Sequence, residues 1–195
     1  MFATLPPATR AILIANGVMF LLQWLAPGVW MDRLALWPLG PLFDPWQIVT
    51  YSFLHGSLLH IFFNMFAVYM FGGPLENTWG SAKYVLFYFA SVIAAAAAQL
   101  AVTSASGMLY PTIGASGGVF GLLLGFALFF PHERIAIYGI IPMPAWLFVT
   151  LYGILELTLG ISGAQTGVAH FAHLGGMAGG ALVLLFWQRR PARRF

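Results

Sequence analysis

Two apolar segments each carry one residue capable of covalent chemistry. Gly114-Ala115-Ser116-Gly117 holds a serine, and Ala172-His173-Leu174-Gly175-Gly176 holds a histidine. A serine hydroxyl is a weak nucleophile until a base stands beside it. A neutral imidazole can take the hydroxyl proton and return it to a leaving amine. Polar and ionisable groups inside a bilayer are costly, so they are functional suspects by default. A serine and a histidine at matching depth in lipid therefore point to hydrolysis of a bond there. Acyl transfer also needs donors for the developing oxyanion. Ser116 opens a predicted helix, whose first N–H groups have no partner within it. His60 and Asn64, spaced i, i+4, share a face of another helix and could supply further donors.

The surroundings of these residues are those of a membrane protein. The chain has 195 residues, 61% hydrophobic and only 7% charged, where soluble domains carry about 25% charge. Cysteine is absent, which excludes disulfides and thiolate metal sites. The net charge of +3 is end-loaded. Arg189, Arg190, Arg193 and Arg194 follow a hydrophobic span and read as a topology anchor, not a nucleic-acid patch. The first apolar run, from about Ala11, has no small-residue cleavage site and reads as a span, not a signal peptide.

A spanning helix needs about 20 apolar residues. Six candidates are predicted, at roughly 9–26, 55–73, 81–102, 115–130, 143–161 and 168–188. Prolines and glycines punctuate them: Gly72-Gly73-Pro74 is expected to end the second, Pro131 the fourth, and Pro142 and Pro144 to open the fifth. The expectation is one all-α membrane domain over 1–195, with its core at about 46–188 and a basic tail at 189–195. With six spans both termini share a side. That side holds Arg10, Lys83, Arg134 and the four tail arginines, against Arg33 alone on the other. The positive-inside rule then makes the termini cytoplasmic.

Counting from the cytoplasmic ends gives depth. Ser116 lies 16 residues before His132, His173 lies 16 before Arg189, and His60 lies 16 before Glu76. Each distance is roughly 24 Å at 1.5 Å per residue, in a hydrocarbon layer about 30 Å thick. Three polar groups from three helices thus reach one level. The fourth span looks too short to cross, so its N-terminus starts inside the membrane, which is tolerated where the backbone is buried in protein or lines a wet cavity. Small residues recur every fourth position at Gly117, Gly121 and Gly125 and at Ala172, Gly176 and Gly180. Such stripes let helix backbones approach closely in lipid.

Several motifs together make the chain resemble the rhomboid family of intramembrane serine proteases. They are His55-Gly56-Ser57-Leu58-Leu59-His60-Ile61-Phe62-Phe63-Asn64, Glu76-x-x-x-Gly80-Ser81, Gly114-Ala115-Ser116-Gly117 and Ala172-His173-x-x-Gly176, in this order over roughly 46–180. The resemblance implies a six-transmembrane-helix rhomboid-like bundle. It implies a catalytic Ser116/His173 dyad with no third carboxylate and no metal or cofactor. It implies His60, Asn64 and the Ser116 backbone amide as oxyanion donors, with Gly114, Phe120 and Gly176 in support. Its implied partners are the lipid bilayer and single-pass transmembrane substrates, cut near their outer end and usually after a small residue. The fifth span and the loop after it would be the gate. Two departures are visible. The first loop reads Trp46-Gln47 where the family often carries Trp-Arg. Phe120 stands where a tyrosine often stacks on the histidine, so His173 is expected to be steadied by stacking alone.

Other residues have plainer readings. His170 reads as a structural or loop-facing histidine, and His55 as an organiser of its loop. Glu156, mid-span in the fifth helix, either lines the cavity or hydrogen-bonds a neighbouring helix. Gly114-x-Ser116-x-Gly118 matches the nucleophile elbow of soluble hydrolases, but that motif needs an α/β sheet, and no sheet is expected here. A metalloprotease would carry H-E-x-x-H, and the chain has none. A client-binding relative without activity would lack the serine or the histidine. A transporter would show internal repeats or interrupted helix pairs, which the sequence does not display.

Overall fold

The structure, a computed structural model, describes residues 5–137, 141–163 and 169–189. Its long helices are α1 (Pro7–Leu25), α6 (Ser81–Ser106), α8 (Ala145–Ser162) and α9 (His170–Arg189). Between α1 and α6 lie the short α2 (Met31–Leu34) and α3 (Gln47–Thr50), then α4 (Leu58–Ala67) and α5 (Gly73–Trp79). Helix α7 spans Ser116–Phe129. Among the described residues, five helical segments are long and apolar enough to cross a membrane: α1, Leu58–Trp79, α6, α8 and α9. Helix α7, at 14 residues, is roughly 21 Å long and falls short of the hydrocarbon layer. Five of the six predicted spans thus appear in order, and the shorter α7 stands in the place of the fourth.

Local chemistry sets the boundaries. Pro6 and Pro7 open α1, where a missing N–H costs nothing. Ser57 caps α4 by accepting the His60 backbone N–H at 3.2 Å. The second span thus begins at Leu58, and His55 and Gly56 lie outside it. Gly107 and Gly163 take the left-handed conformation that closes α6 and α8.

Two expectations fail here. Gly72-Gly73-Pro74 does not end the second span. The helix widens into a π turn at Val68–Gly72 and runs on as α5 to Trp79. Pro74 sits in the first turn of α5, where its absent N–H needs no acceptor. A small sheet is also present: β1 (Arg134–Ile137) pairs antiparallel with β2 (Ile141–Pro144), Ile135 opposite Met143. Pro142 and Pro144 cannot donate to a ladder but are tolerated in a two-stranded ribbon. They hold off the start of α8 until Ala145.

Helix α6 is the central post, packing along both α7 and α9. Tyr84, Phe87, Tyr88, Val92 and Leu122 are fully buried around it. The glycine stripes lie where backbones meet. A Cβ on Gly176 would strike the carbonyl of Gly117, and one on Gly121 would strike Ser91. Helix α8 touches α7 and α9 and is the least buried span.

Glu76 ties the bundle's N-terminus. Its carboxylate accepts the Ala8 and Thr9 backbone N–H groups at 2.8 and 2.7 Å, the Thr9 hydroxyl at 2.8 Å and the Ser81 hydroxyl at 2.7 Å. The first turn of α1, with its partial positive charge and orphan donors, thus finds an anion on α5. Glu76→Ala is expected to lower stability by about 1–3 kcal/mol, the cost of stranding buried donors. A fall in the thermal midpoint in detergent checks this.

Candidate functional site: a serine, three histidines and a carboxylate

Gly114 makes the approach to Ser116 possible. Its φ is +124°, a conformation that residues with a side chain rarely adopt. Its N–H donates to the Tyr51 carbonyl at 3.0 Å, and Tyr51 in turn donates its hydroxyl to the Val92 carbonyl on α6 at 2.8 Å. Thr112 pairs with Leu36 of the first loop through two backbone hydrogen bonds. The chain therefore enters α7 along a fixed track, and Ser116 is the first helical residue.

Ser116 and His173 are brought together. Ser116 Oγ and His173 Nε2 are 2.9 Å apart, with α7 and α9 in close contact at Gly117, the next residue, and Gly176, one turn along α9. Phe120 stacks on the imidazole, with centroids 4.3 Å apart and planes 6° from parallel. Both side chains are partly exposed.

His60 joins them from α4. A methyl group on Gly114 would lie 2.7 Å from His60 Nε2 and 3.7 Å from Ser116 Oγ, so both atoms border one small space. The Gly56 N–H donates to His60 Nδ1 at 3.3 Å. A ring nitrogen that accepts leaves the other to carry the proton, which aims an Nε2–H into that space. Asn64, one turn along α4, is buried and gives one amide proton to the His60 carbonyl at 2.9 Å. Its second amide proton remains available. No hydrogen bond joins Asn64 to Ser116 among the described residues.

His55 sits beneath His60, with ring centroids 4.9 Å apart. Its backbone is clamped to α1: the His55 N–H donates to Gln23 Oε1 at 3.0 Å, and Gln23 Nε2 donates to the His55 carbonyl at 3.3 Å. Burial, reinforced by neighbouring His60, pushes the His55 imidazole down to about 4, so it is neutral at physiological pH. What ties this loop to α1 is the His55 backbone, and the ring meets His60 by an edge contact.

Gln47 occupies the position of the usual arginine and is fully buried. Its Oε1 accepts the Trp37 N–H at 3.2 Å and its Nε2 donates to the Leu42 carbonyl at 2.9 Å. A neutral amide therefore pins both flanks of the first loop without a cation.

The largest difference from expectation is Glu156. Its Oε2 lies 2.8 Å from His173 Nδ1 and 2.7 Å from His170 Nδ1. His173 is thus not held by stacking alone, and a carboxylate stands where the resemblance implies none. Helix α8 delivers it because Glu156 lies on the face toward α9, where it is buried. His170 is buried too, on the first turn of α9. Among the described residues, Glu156, His170 and His173 are the cluster able to ligate a metal. Separations of 2.7 and 2.8 Å between the imidazole nitrogens and one oxygen are those of hydrogen bonds, whereas tetrahedral zinc ligands about 2.0–2.2 Å from one ion lie roughly 3.4 Å from one another. The loop expected to share the gate falls largely on residues 164–168, and the basic tail on 190–195. Both lie outside the described residues.

The comparisons with known proteins agree on a family. The family model described as Rhomboid domain matches residues 43–190. The chain is 27% identical to the YdcA protein of Bacillus subtilis, covering 100% of this chain and 95% of that one. It is 28% identical to the rhomboid protease GlpG of Yersinia pseudotuberculosis over 96% of this chain and 61% of that protein. It is 32% identical to RHOMBOID-like protein 4 of Arabidopsis thaliana over 76% of this chain and 35% of that protein. The chain thus spans nearly all of one relative and between one third and three fifths of the other two.

Proposed function

The chain belongs to the rhomboid family, and from that premise we propose that it is an intramembrane serine protease. In this reading a single membrane domain hydrolyses a peptide bond in or near a transmembrane segment of another membrane protein. The observation that carries it is the 2.9 Å separation of Ser116 Oγ and His173 Nε2 at the N-terminus of α7.

The reaction follows from the atoms. His173 Nε2 takes the hydroxyl proton as Ser116 Oγ bonds to the scissile carbonyl carbon. The carbonyl oxygen becomes an oxyanion, facing the free N–H groups of the first turn of α7 and His60 Nε2–H. Collapse breaks the C–N bond, and His173 gives its proton to the leaving amine. Water, activated by the same imidazole, then frees the acyl group. Asn64 adds a donor to the oxyanion site. Asn64→Ala is expected to lower kcat by about 10²-fold, near 2.7 kcal/mol, with the thermal midpoint little changed. An unchanged kcat removes Asn64 from this role.

The substrate class follows from depth. In this reading the nucleophile, at the start of the short α7, sits beneath the lipid surface on the side opposite the arginine-rich C-terminal end. Cytoplasmic termini, as the positive-inside rule reads them, put the cut near the outer end of the substrate's span. The test is cleavage in proteoliposomes of a panel of single-pass membrane proteins with small residues near that end. Fragments whose new termini map to the outer end of the span support the reading. An intact panel, with the protein folded, contradicts it.

A further inference from the structure

We propose that Glu156 is a positioning residue for His173, so that the site works as a Ser116–His173–Glu156 line braced by His170. The proposal rests on the serine-protease reading above and adds a third group to it.

The geometry carries it. Both nitrogens of the His173 ring are engaged: Nε2 with Ser116 Oγ at 2.9 Å and Nδ1 with Glu156 Oε2 at 2.8 Å. An ionised carboxylate only accepts, so Nδ1 carries the hydrogen. In the neutral ring Nε2 is then the lone-pair nitrogen, which is the tautomer a general base needs when it faces the hydroxyl. Stacking on Phe120 fixes the ring plane but cannot choose between tautomers. The carboxylate does.

The same contact serves the charged state. When His173 takes the Ser116 proton it becomes an imidazolium, and its Nδ1–H then points at an anion. The proton stays on the imidazole until it passes to the leaving amine, and the carboxylate stays ionised throughout. His170 holds the other side of Oε2 at 2.7 Å, so the oxygen is located by two N–H donors. A buried carboxylate in an apolar helix is costly without such partners. Here both partners are imidazoles on successive turns of α9.

The carboxylate also comes from α8, a different helix from the base and the nucleophile. An aligned base therefore requires α8 to be seated against α9.

The test measures kcat, KM and the thermal midpoint of Glu156→Gln, Glu156→Asp and Ser116→Ala in proteoliposomes with one cleaved single-pass substrate. A glutamine amide can donate to Nδ1 and favour the wrong tautomer. Glu156→Gln is expected to lose about 10²- to 10⁴-fold in kcat with KM within about twofold of wild type. Glu156→Asp, which keeps the charge on a shorter stem, is expected to recover at least about tenfold of that loss, and it decides the matter if the glutamine variant does not fold. If both variants keep kcat within about threefold while Ser116→Ala is inert, the serine reading stands and Glu156 has no part in it. Losses that follow a fallen thermal midpoint or a raised KM make Glu156 a structural tether and overturn the proposal. Cleavage by Ser116→Ala sinks the parent reading instead.

Discussion

Ser116→Ala is expected to abolish peptide hydrolysis while leaving the helical bundle intact. The change removes one oxygen atom from a partly exposed side chain whose hydrogen bond is to His173. Nothing in the buried core around α6 depends on it. His173→Ala should be equally inert, because a hydroxyl without its base is not a nucleophile at neutral pH. In a soluble serine protease, removing either partner costs about 2 × 10⁶-fold in kcat, and removing both costs little more. The double variant here should likewise be no worse than either single one. Fragment yield from a reconstituted substrate, read beside helical content by circular dichroism, checks both statements. Cleavage above background in either variant contradicts the pairing.

Gly176→Val is expected to damage both activity and stability, although it touches no reacting atom. A Cβ there would run into the backbone carbonyl of Gly117, the residue after the nucleophile. Backbone cannot swing away as a flexible side chain can, so α7 and α9 must separate. Overpacking of this kind costs about 1–3 kcal/mol, occasionally more. Separation also stretches the 2.9 Å contact between Ser116 and His173, and a 1 Å misplacement of catalytic groups costs about 10²-fold. Gly17→Ala is the control, because nothing lies within 4 Å of a Cβ on that glycine. Cleavage rate and thermal midpoint should both fall for Gly176→Val and stay put for Gly17→Ala. A fully active Gly176→Val protein would mean the two helices need not touch.

Much of this architecture was legible in the sequence because a bilayer imposes simple rules. Spans must be apolar and about 20 residues long, and close helix contacts in lipid call for small residues. Hence the stripe at Gly117 and Gly121 marked an interface that the fold contains. Counting residues from the charged ends also put Ser116, His60 and His173 at one level, and the structure joins them around Gly114. What escaped was local or relational. Pro74 looked like a stop because sequence does not reveal that a π turn has already shifted the hydrogen-bond register. The hairpin before α8 was hidden among prolines that usually break elements. Gln47 looked like a loss because its two loop partners, Trp37 and Leu42, are specified only by the folded loop.

Glu156 is the instructive case: of its two readings the structure shows the hydrogen bond to a neighbouring helix, but its partner His173 was not foreseen. Its depth could have been counted: it lies 11 residues into α8 from Ala145, or roughly 17 Å. Ser116 lies 13 residues from the far end of α7, or roughly 20 Å. The two levels agree to within a helical turn. Period alone could not say which face of α8 turns toward α9, since that helix is apolar all round apart from this residue and a few hydroxyls. The cost of an intramembrane carboxylate was the signal, and His170-x-x-His173 on the neighbouring helix was its natural partner.

The most direct test of the central claim is labelling by a serine-directed fluorophosphonate in detergent, with the adduct located by mass spectrometry of the digested protein. The account predicts one adduct, on Ser116, formed by wild type and lost in His173→Ala although Ser116 remains. An adduct on another serine, or equal labelling rates with and without the His173 imidazole, would contradict it.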